Sequence, residues 1–188
     1  MVHEEVSERD EPLEVWRSPL GDAFLEQVKA TRNSLFIVSP YIRKEGASKV
    51  IDGLRANPRL SELNIRVLTR KDKDAFAGRH AHLGALLDLL KLGDRTPGLE
   101  MRWLPNLHAK IYVFDEECAL VTSANLTGES LFGGGGSGDI EYGVLLKSSE
   151  AVRKVLSDVE EVWCSADAVS SESLRRMERT IAAENEAE

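Results

Sequence analysis

The sequence has little cysteine, no long apolar segment and no basic leader at its start. Its two cysteines, Cys118 and Cys164, do not form a C-x-x-C pair, so neither a disulfide framework nor a zinc ribbon is indicated. Its longest apolar runs are far shorter than a membrane span, and its first residues lack the basic and apolar regions of a secretory signal. These absences predict a cytoplasmic protein that makes no contact with a membrane.

The charge of the chain is unevenly distributed along its length. The 24 basic and 32 acidic residues give a net charge of -8, which at first argues against a polyanionic partner such as nucleic acid. However, residues 41–110 carry 14 basic and 8 acidic groups, whereas residues 1–40 carry 4 against 8 and residues 111–188 carry 6 against 16. We therefore expect a polarised molecule with one basic face that binds an anionic substrate in a salt-sensitive way.

The length of 188 residues predicts one domain. Residues 1–14 are acidic and without periodicity, so we expect a flexible N-terminal arm followed by a single domain over residues 15–188. Residues 133–138 read GGGGSG. This segment is either a natural mobile loop or an engineered linker, and both interpretations predict flexibility without chemistry of its own.

Hydrophobic periodicity predicts an α/β fold. Strands are expected at 34–39, 64–69, 99–103, 109–114, 119–122 and 140–147, and helices at 18–32, 47–55, 81–92, 150–163 and 171–183. The alternation of strand and helix in the first half is typical of βαβ units, and the turn at 115–117 predicts a hairpin in the second half. The expected architecture is a mixed, mostly parallel sheet sandwiched between helices.

The residues with the most informative chemistry lie between His108 and Asn125. His108 and Lys110 are two residues apart, and in a strand such residues project from the same face. Ser123 and Asn125 have the same spacing after the next predicted strand, and pairing about the turn brings them back beside the first two. An imidazole, an ammonium, a hydroxyl and an amide at one place suit a phosphate, with the imidazole able to attack phosphorus.

The spacing of this segment resembles the HKD motif of the phospholipase D superfamily, H-x-K-x4-D-x6-G-S-x-N. Here the pattern is His108-x-Lys110-x4-Asp115-x6-Thr122-Ser123-x-Asn125. Thr122 departs from the glycine that the family usually has. The downstream DIEYGV of residues 139–144 is similar to the family segment that carries an acidic residue, here Glu141. The resemblance implies the phospholipase D-like α/β/α fold.

The resemblance also implies a mechanism and roles for the residues that match the motif. His108 of one subunit would form a phosphohistidine, and His108 of a second subunit would serve as acid and then as base. Glu141 would orient the imidazole, and Asp115 is expected to have a structural role in its turn. The residues expected to hold the phosphate oxygens are Lys110, Ser123 and Asn125. No metal or other cofactor is expected, because the lysines supply the positive charge.

Only one such motif is present, and family active sites need two. The chain therefore resembles the single-motif bacterial endonucleases and restriction-enzyme catalytic domains, and we expect a homodimer with one composite site that cleaves DNA or RNA. Further substrate contacts are expected from basic residues after the first two strands. These residues are Arg43, Lys44, Arg70 and Lys71.

Two other functions remain open from the sequence. One is a phospholipase or transphosphatidylase acting on lipid head groups, and the other is a non-catalytic subunit that binds nucleic acid. The polar loops and the charged last helix disfavour an interfacial enzyme, and the presence of all the motif residues disfavours a silent module. The nuclease itself has three open contexts: a nonspecific enzyme, a catalytic domain of a longer protein, or a subunit of a restriction or phage-defence complex with a helicase.

Overall fold

The computed structural model describes residues 11–72, 76, 81–133 and 139–185. Residues 1–10 of the expected arm and residues 134–138 of the glycine-rich segment lie outside the described residues. The strands are β1 (Leu13–Arg17), β2 (Ser34–Ser39), β3 (Asn64–Arg70), β4 (Gly98–Leu104), β5 (Ile111–Phe114), β6 (Cys118–Thr122), β7 (Tyr142–Leu146) and β8 (Asp167–Ala168). The helices are α1 (Gly21–Ala30), α2 (Lys44–Arg55), α3 (Ala81–Leu92), α4 (Ser149–Ser165) and α5 (Ser171–Asn185), with a short 3-10 turn at Leu60–Glu62.

The strands form one mixed sheet in the order β1-β7-β6-β5-β2-β3-β4-β8, which confirms the predicted α/β class. The expectation of a mostly parallel sheet is wrong. In the described part of the chain, β2–β3 and β3–β4 are the parallel pairs, and the other five pairings are antiparallel. Each parallel pair is joined by a helical crossover, through α2 or α3, whereas the short turn at residues 115–117 between β5 and β6 allows antiparallel pairing alone.

Helices cover both faces of the sheet, as predicted. On one face α1, α2, α3 and α5 pack in sequence against each other, and side chains such as Phe24, Val50 and Leu86 join the larger core there. On the other face α4 lies over a smaller core that includes Phe36 and Trp163. The central strand β2 is buried on both faces because its successive residues alternate between the two cores.

The N-terminal region differs from the expectation. Residues 13–17 form a strand that pairs with β7, so Leu13 and Glu14 do not belong to the flexible arm predicted over residues 1–14. Ser18 lies before the first helix rather than in it: its N–H donates to the Glu141 carbonyl at 2.9 Å, and its hydroxyl accepts from the Glu141 N–H at 3.2 Å. Helix α1 therefore starts at Gly21, and it ends at Ala30, where Thr31 turns to an extended conformation. The segment Leu13–Arg17 is too short for its own pattern to predict a strand, and it becomes one because it pairs with the edge of β7.

Candidate active site

The predicted site residues meet at one end of the sheet. Because β5 is antiparallel to both β2 and β6, the start of β5 lies beside the ends of those two strands. The start of β7 follows on the far side of β6. The topology therefore gathers the residues that precede β5, follow β6 and precede β7. These residues are His108, Lys110, Ser123, Asn125 and Glu141.

His108 and Lys110 lie just before β5 rather than within it, contrary to the predicted strand over 109–114. The hydrogen-bond ladder between β5 and β6 nevertheless continues by one residue, since the Thr122 N–H donates to the Lys110 carbonyl at 3.1 Å. Lys110 Nζ lies 3.0 Å from the His108 carbonyl and 3.4 Å from each ring nitrogen of His108. The ammonium and the imidazole thus form one cluster, with His108 exposed to an incoming substrate.

Partial burial lowers the pKa of Lys110, and the negative charge of Glu141 opposes that shift. The cation is therefore lost at a lower pH than that of an ordinary lysine as pH rises. If the site needs this charge, the alkaline decline of kcat/KM should begin below the usual lysine range. The Lys110→Arg variant should move the decline to higher pH, because a guanidinium does not deprotonate in proteins. Identical alkaline limbs in the two pH profiles would contradict the role of this charge.

Ser123 and Glu141 form the second half of the cluster. The Ser123 N–H donates to the Tyr142 carbonyl at 2.9 Å, and the Tyr142 N–H donates to the Ser123 hydroxyl oxygen at 3.1 Å. The Ser123 hydroxyl in turn donates to the Glu141 carboxylate. Among the described residues, Glu141 makes this bond and none to His108, so the expected contact between carboxylate and imidazole is not found here. Continuation of the β6–β7 pairing past Thr122 places the serine, not the histidine, next to the carboxylate.

Asn125 supplies an amide with unused hydrogen-bonding capacity. In the part of the chain that the structure describes, its Oδ1 is buried and has no hydrogen-bond partner. The backbone around it is fixed: the Thr127 N–H donates to the Asn125 carbonyl at 2.7 Å, and the Arg43 N–H donates to the Leu126 carbonyl at 3.1 Å. Buried polar atoms are rarely left unpaired. Oδ1 is an acceptor, so a bond from Asn125 to a phosphate oxygen has to come from the Nδ2 group.

Two buried residues that sequence reasoning missed hold the segment carrying Ser123 and Asn125. The Tyr112 hydroxyl donates to the Ala124 carbonyl at 3.2 Å, and burial raises the pKa of this phenol, so it remains a donor. The Ser39 hydroxyl accepts from the Leu126 N–H at 3.0 Å. The available signal was weak: each is a polar group within or at the end of an apolar strand, a position that usually requires a hydrogen-bond partner.

We expect Tyr112→Phe to lower the free energy of unfolding by about 1–2 kcal/mol, since it leaves the buried Ala124 carbonyl unpaired. Thermal denaturation measures this loss. Tyr142→Phe is the matched control, because the Tyr142 side chain is 53% exposed. Equal melting temperatures for the two variants would show that the Tyr112 hydroxyl does not hold the segment.

Thr122, the departure from the family motif, has a defined structural role. Its hydroxyl donates to the Tyr142 carbonyl at 2.7 Å and accepts from the Ala124 N–H at 3.1 Å. The side chain therefore stabilises the turn between β6 and the Ser123 segment. A glycine at this position would give the backbone more freedom but could make neither bond.

Arg43 and Lys44 lie near the cluster, as expected for residues after β2. Arg43 immediately precedes α2 and follows Ile42, which forms an isolated bridge with Leu126. Its guanidinium forms an ion pair with Glu129. Lys44 is exposed in the first turn of α2.

Arg70 and Lys71 lie farther from the cluster. Arg70 is the last residue of β3 and Lys71 follows it. Strand β3 is two strands away from β5 in the sheet, or about 10 Å. Arg70 pairs with Asp72 at 3.1 Å, and Lys71 lies 3.5 Å from Asp167. The structure thus brings the first pair of predicted substrate contacts to the site and leaves the second pair at its periphery.

Asp115 lies at the opposite end of β5 from the site. Its carboxylate accepts from the N–H groups of residues 32, 33 and 34 at 2.6 to 3.0 Å, and its φ of 55° is positive, as is that of Glu116. The aspartate fixes the hairpin turn to the start of β2. These contacts are those of the structural residue that the sequence predicts.

The described residues contain neither a metal-binding cluster nor a membrane-spanning helix. No group of three or more His, Cys, Asp or Glu side chains in these ranges is placed to hold a metal ion. No helix in the same ranges is long and apolar enough to cross a membrane.

Comparison with known proteins places this site in a family. The model of the "Cardiolipin synthase, PLD-like domain" family matches residues 24–163, whereas no curated protein matches the chain. Solved structures with the same fold include Nuc, a phospholipase D family member from Salmonella typhimurium, with a TM-score of 0.64 and 13% identity over 85% of this chain and 98% of that one. NucT from Helicobacter pylori has a TM-score of 0.64 and 12% identity over 84% of this chain and 98% of its own.

A third structure shows how widely the fold is used. The phosphatidylserine synthase of Haemophilus influenzae Rd KW20 has a TM-score of 0.62 and 14% identity; the match covers 92% of this chain but 46% of the synthase. At such low sequence identities the solved structures show only a shared fold. The membership of this chain in the family rests on the family model. Because that model matches most of the chain and spans the His108–Asn125 motif, the chain belongs to the phospholipase D superfamily.

Proposed function

We propose that this protein is a metal-independent phosphodiesterase that hydrolyses DNA or RNA in the composite site of a homodimer. The observation that carries the proposal is the convergence, at one end of the sheet, of the groups that phosphoryl transfer to an imidazole requires. These groups are His108, Lys110, Ser123, Asn125 and Glu141. They supply a nucleophile, a cation, neutral hydrogen-bonding groups and a carboxylate.

The proposed reaction has two steps. Neutral His108 of one subunit attacks phosphorus, a P–N bond forms, and the P–O bond to the leaving group breaks. The partner subunit's His108, protonated at the start, gives its proton to the leaving oxygen. It then takes a proton from water, which attacks phosphorus and breaks the P–N bond.

The remaining groups act on the phosphate oxygens. Lys110 neutralises the charge that develops on them, and the Nδ2 group of Asn125 donates to one of them. The Ser123 hydroxyl is bonded to Glu141. Binding of a phosphate oxygen to Ser123 would break this bond and leave the Glu141 carboxylate free to orient an imidazolium.

The substrate class rests on two observations. The first is charge. Residues 41–110, which have more basic than acidic groups, end at Lys110 in the site, and a basic segment there suits a polyanion. The matches to Nuc and NucT also cover 98% of those chains, whereas the phosphatidylserine synthase is about twice as long as the matched part. By analogy alone, we place the protein in restriction or phage defence, where a helicase subunit would deliver the substrate.

A lipid substrate is the second candidate. The family model is described as a cardiolipin synthase domain, and a phosphatidylserine synthase shares the fold. Both candidates use the same phosphoryl chemistry, so the substrate distinguishes them. Incubation with single- and double-stranded DNA, RNA and phosphatidylglycerol vesicles, each with EDTA, should give cleavage of nucleic acid only. Release of a lipid head group would favour the second candidate, and binding of DNA without cleavage of any substrate would favour a non-catalytic subunit.

A composite site also predicts how wild-type and inactive subunits interact. In the test, wild-type protein is mixed with His108→Ala protein at one part to nine, and the subunits are allowed to exchange. If each active site needs both histidines, the activity per wild-type subunit should fall about tenfold, because few wild-type subunits then pair with each other. Unchanged activity per wild-type subunit would show that one chain carries a complete site.

A further inference from the structure

A cavity with a basic lining lies between the sheet and α5, away from the catalytic cluster. Its volume is about 300 Å³, and we refer to it as the α5 cavity. The residues that line it are Lys71, Trp103, Ser173, Arg176, Met177 and Thr180. In the part of the chain that the structure describes, no aspartate or glutamate belongs to this lining.

The helical wall of the α5 cavity is one stripe of side chains. Ser173, Arg176, Met177 and Thr180 have the spacing i, i+3, i+4 and i+7, which places residues on one face of a helix. Other charged residues of α5 line a different surface, and they are Glu172, Arg175, Glu178 and Arg179. The helix therefore presents an arginine to the cavity and keeps these two glutamates away from it.

Lys71 is fixed on the sheet wall of the α5 cavity. Its N–H donates to the Leu104 carbonyl at 3.1 Å, which continues the β3–β4 pairing by one residue. Its Nζ lies 5.1 Å from the centre of the Trp103 ring and 3.5 Å from an Asp167 carboxylate oxygen. The Asp167 side chain is 70% exposed, and exposed ion pairs contribute little, so an anion in the cavity can replace the aspartate.

Arg176 supplies the second cation of the α5 cavity. Its side chain is exposed, and it forms no ion pair with any residue that the structure describes. The Ser173 and Thr180 hydroxyls already donate to backbone carbonyls of the preceding turn, so recognition falls to the ammonium and the guanidinium. Two such groups around one space suit a phosphate, to which a guanidinium can donate two parallel bonds.

The α5 cavity lies at the same end of the sheet as the active site. Strands β3 and β4 run parallel to β2, so their carboxyl ends point the same way as the end of β2 beside the start of β5. Trp103 is near the end of β4, three strands from β5, or about 15 Å. At the duplex rise of about 3.4 Å per nucleotide, this distance is about four nucleotides, and fewer for an extended strand.

We propose that the α5 cavity binds a backbone phosphate of the substrate strand, within about four nucleotides of the cleaved bond, with the proposed nuclease function as its premise. Lys71 and Arg176 supply the charge that holds this phosphate. Contacts to phosphate carry no base information, so the cavity raises affinity for a strand without selecting its sequence.

The test compares a strand that is long enough to reach the α5 cavity with a dinucleotide that is not. Arg176→Gln should raise KM about five- to tenfold for single-stranded DNA of about 20 nucleotides, and less than about twofold for the dinucleotide. Arg176→Lys should keep most of the affinity, because it keeps the charge. Arg175→Gln is the matched control, since it removes the same charge from a neighbouring position outside the cavity, and it should change neither KM. Both arginines are exposed, so the variants should fold, as circular dichroism would verify.

The dependence of binding on salt counts the phosphate contacts directly. Fluorescence anisotropy with the long strand, in a His108→Ala background that prevents cleavage, gives the slope of log Kd against log salt. Arg176→Gln should make this slope shallower by about 0.7, the contribution of one neutralised phosphate in a single strand. Arg176→Lys and Arg175→Gln should keep the original slope.

The outcomes separate this phosphate site from the proposed function. Unchanged KM and salt slope in Arg176→Gln would overturn the site and leave the nuclease function intact. An equal rise of KM for the dinucleotide would also overturn it, since that substrate does not reach the cavity. A protein that cleaves no nucleic acid, but whose salt slope falls in Arg176→Gln and not in Arg175→Gln, would support the site and overturn the nuclease.

Discussion

Replacing His108 by alanine should reduce nucleic-acid cleavage by at least about 10⁴-fold, because removal of a covalent nucleophile costs this much or more in enzymes that use one. In a composite site the same substitution removes both the nucleophile and the general acid. The loss should appear in kcat, measured with a labelled DNA substrate in EDTA. The side chain is exposed and lies before β5, so the variant should fold as the wild type does.

Asn106→Ala provides the matched control, since Asn106 is exposed and lies two residues before His108. It should keep full activity and the same melting temperature. Quenching the wild-type reaction in mid-turnover with alkaline denaturant, in which the P–N bond persists, should trap a covalent protein–DNA adduct that His108→Ala does not form. Cleavage that survives in His108→Ala but disappears with EDTA would refute the phosphohistidine mechanism.

Replacing Lys110 by alanine should lower kcat by about 10²–10³-fold, the usual cost of losing one group that stabilises transition-state charge. The ammonium lies within 3.4 Å of both ring nitrogens of His108, next to the group proposed to attack phosphorus. Its partial burial strengthens its interaction with an anion relative to that of a fully solvated lysine. KM should rise less than kcat falls, because the charge on the oxygens grows toward the transition state.

Lys91→Ala is the control for this variant. Lys91 lies on α3, its side chain is 70% exposed, and it pairs with Asp88, so its loss removes one charge far from the site. At high pH, where wild-type Lys110 is deprotonated, Lys110→Arg should recover part of the activity that Lys110→Ala lacks, because its guanidinium stays charged. An equal loss of kcat in Lys91→Ala and Lys110→Ala would show that net charge, not the placed ammonium, supports the reaction.

Local sequence was sufficient to predict most elements. The β2 segment alternates between two cores and is apolar between its terminal serines, so its limits of 34–39 were predicted correctly. Helix α3 matches the expected 81–92 because its strongly apolar sequence ends at a glycine. The HKD spacing predicted which side chains would meet, and the structure gathers them at one end of the sheet.

Other features depended on contacts between distant parts of the chain. Strand β1 exists because β7 offers it an edge, and Ser18 is bonded to Glu141 rather than to a helix terminus. Neither relation leaves a periodic signal, since each joins segments more than 120 residues apart. The parallel or antiparallel sense of each strand pair was also beyond local pattern, because it depends on the path of the connections.

By itself, the sequence determined the family and the α/β class, and it predicted which side chains bind phosphate, because these follow from residue types at fixed local spacings. The tertiary structure alone decided how those side chains are held. Tyr112 and Ser39 support the Ser123–Asn125 segment, and Glu141 binds Ser123. It also decided that two basic side chains far apart in the chain line the α5 cavity. Strand register and helix packing bring such residues together, and no local pattern encodes that contact.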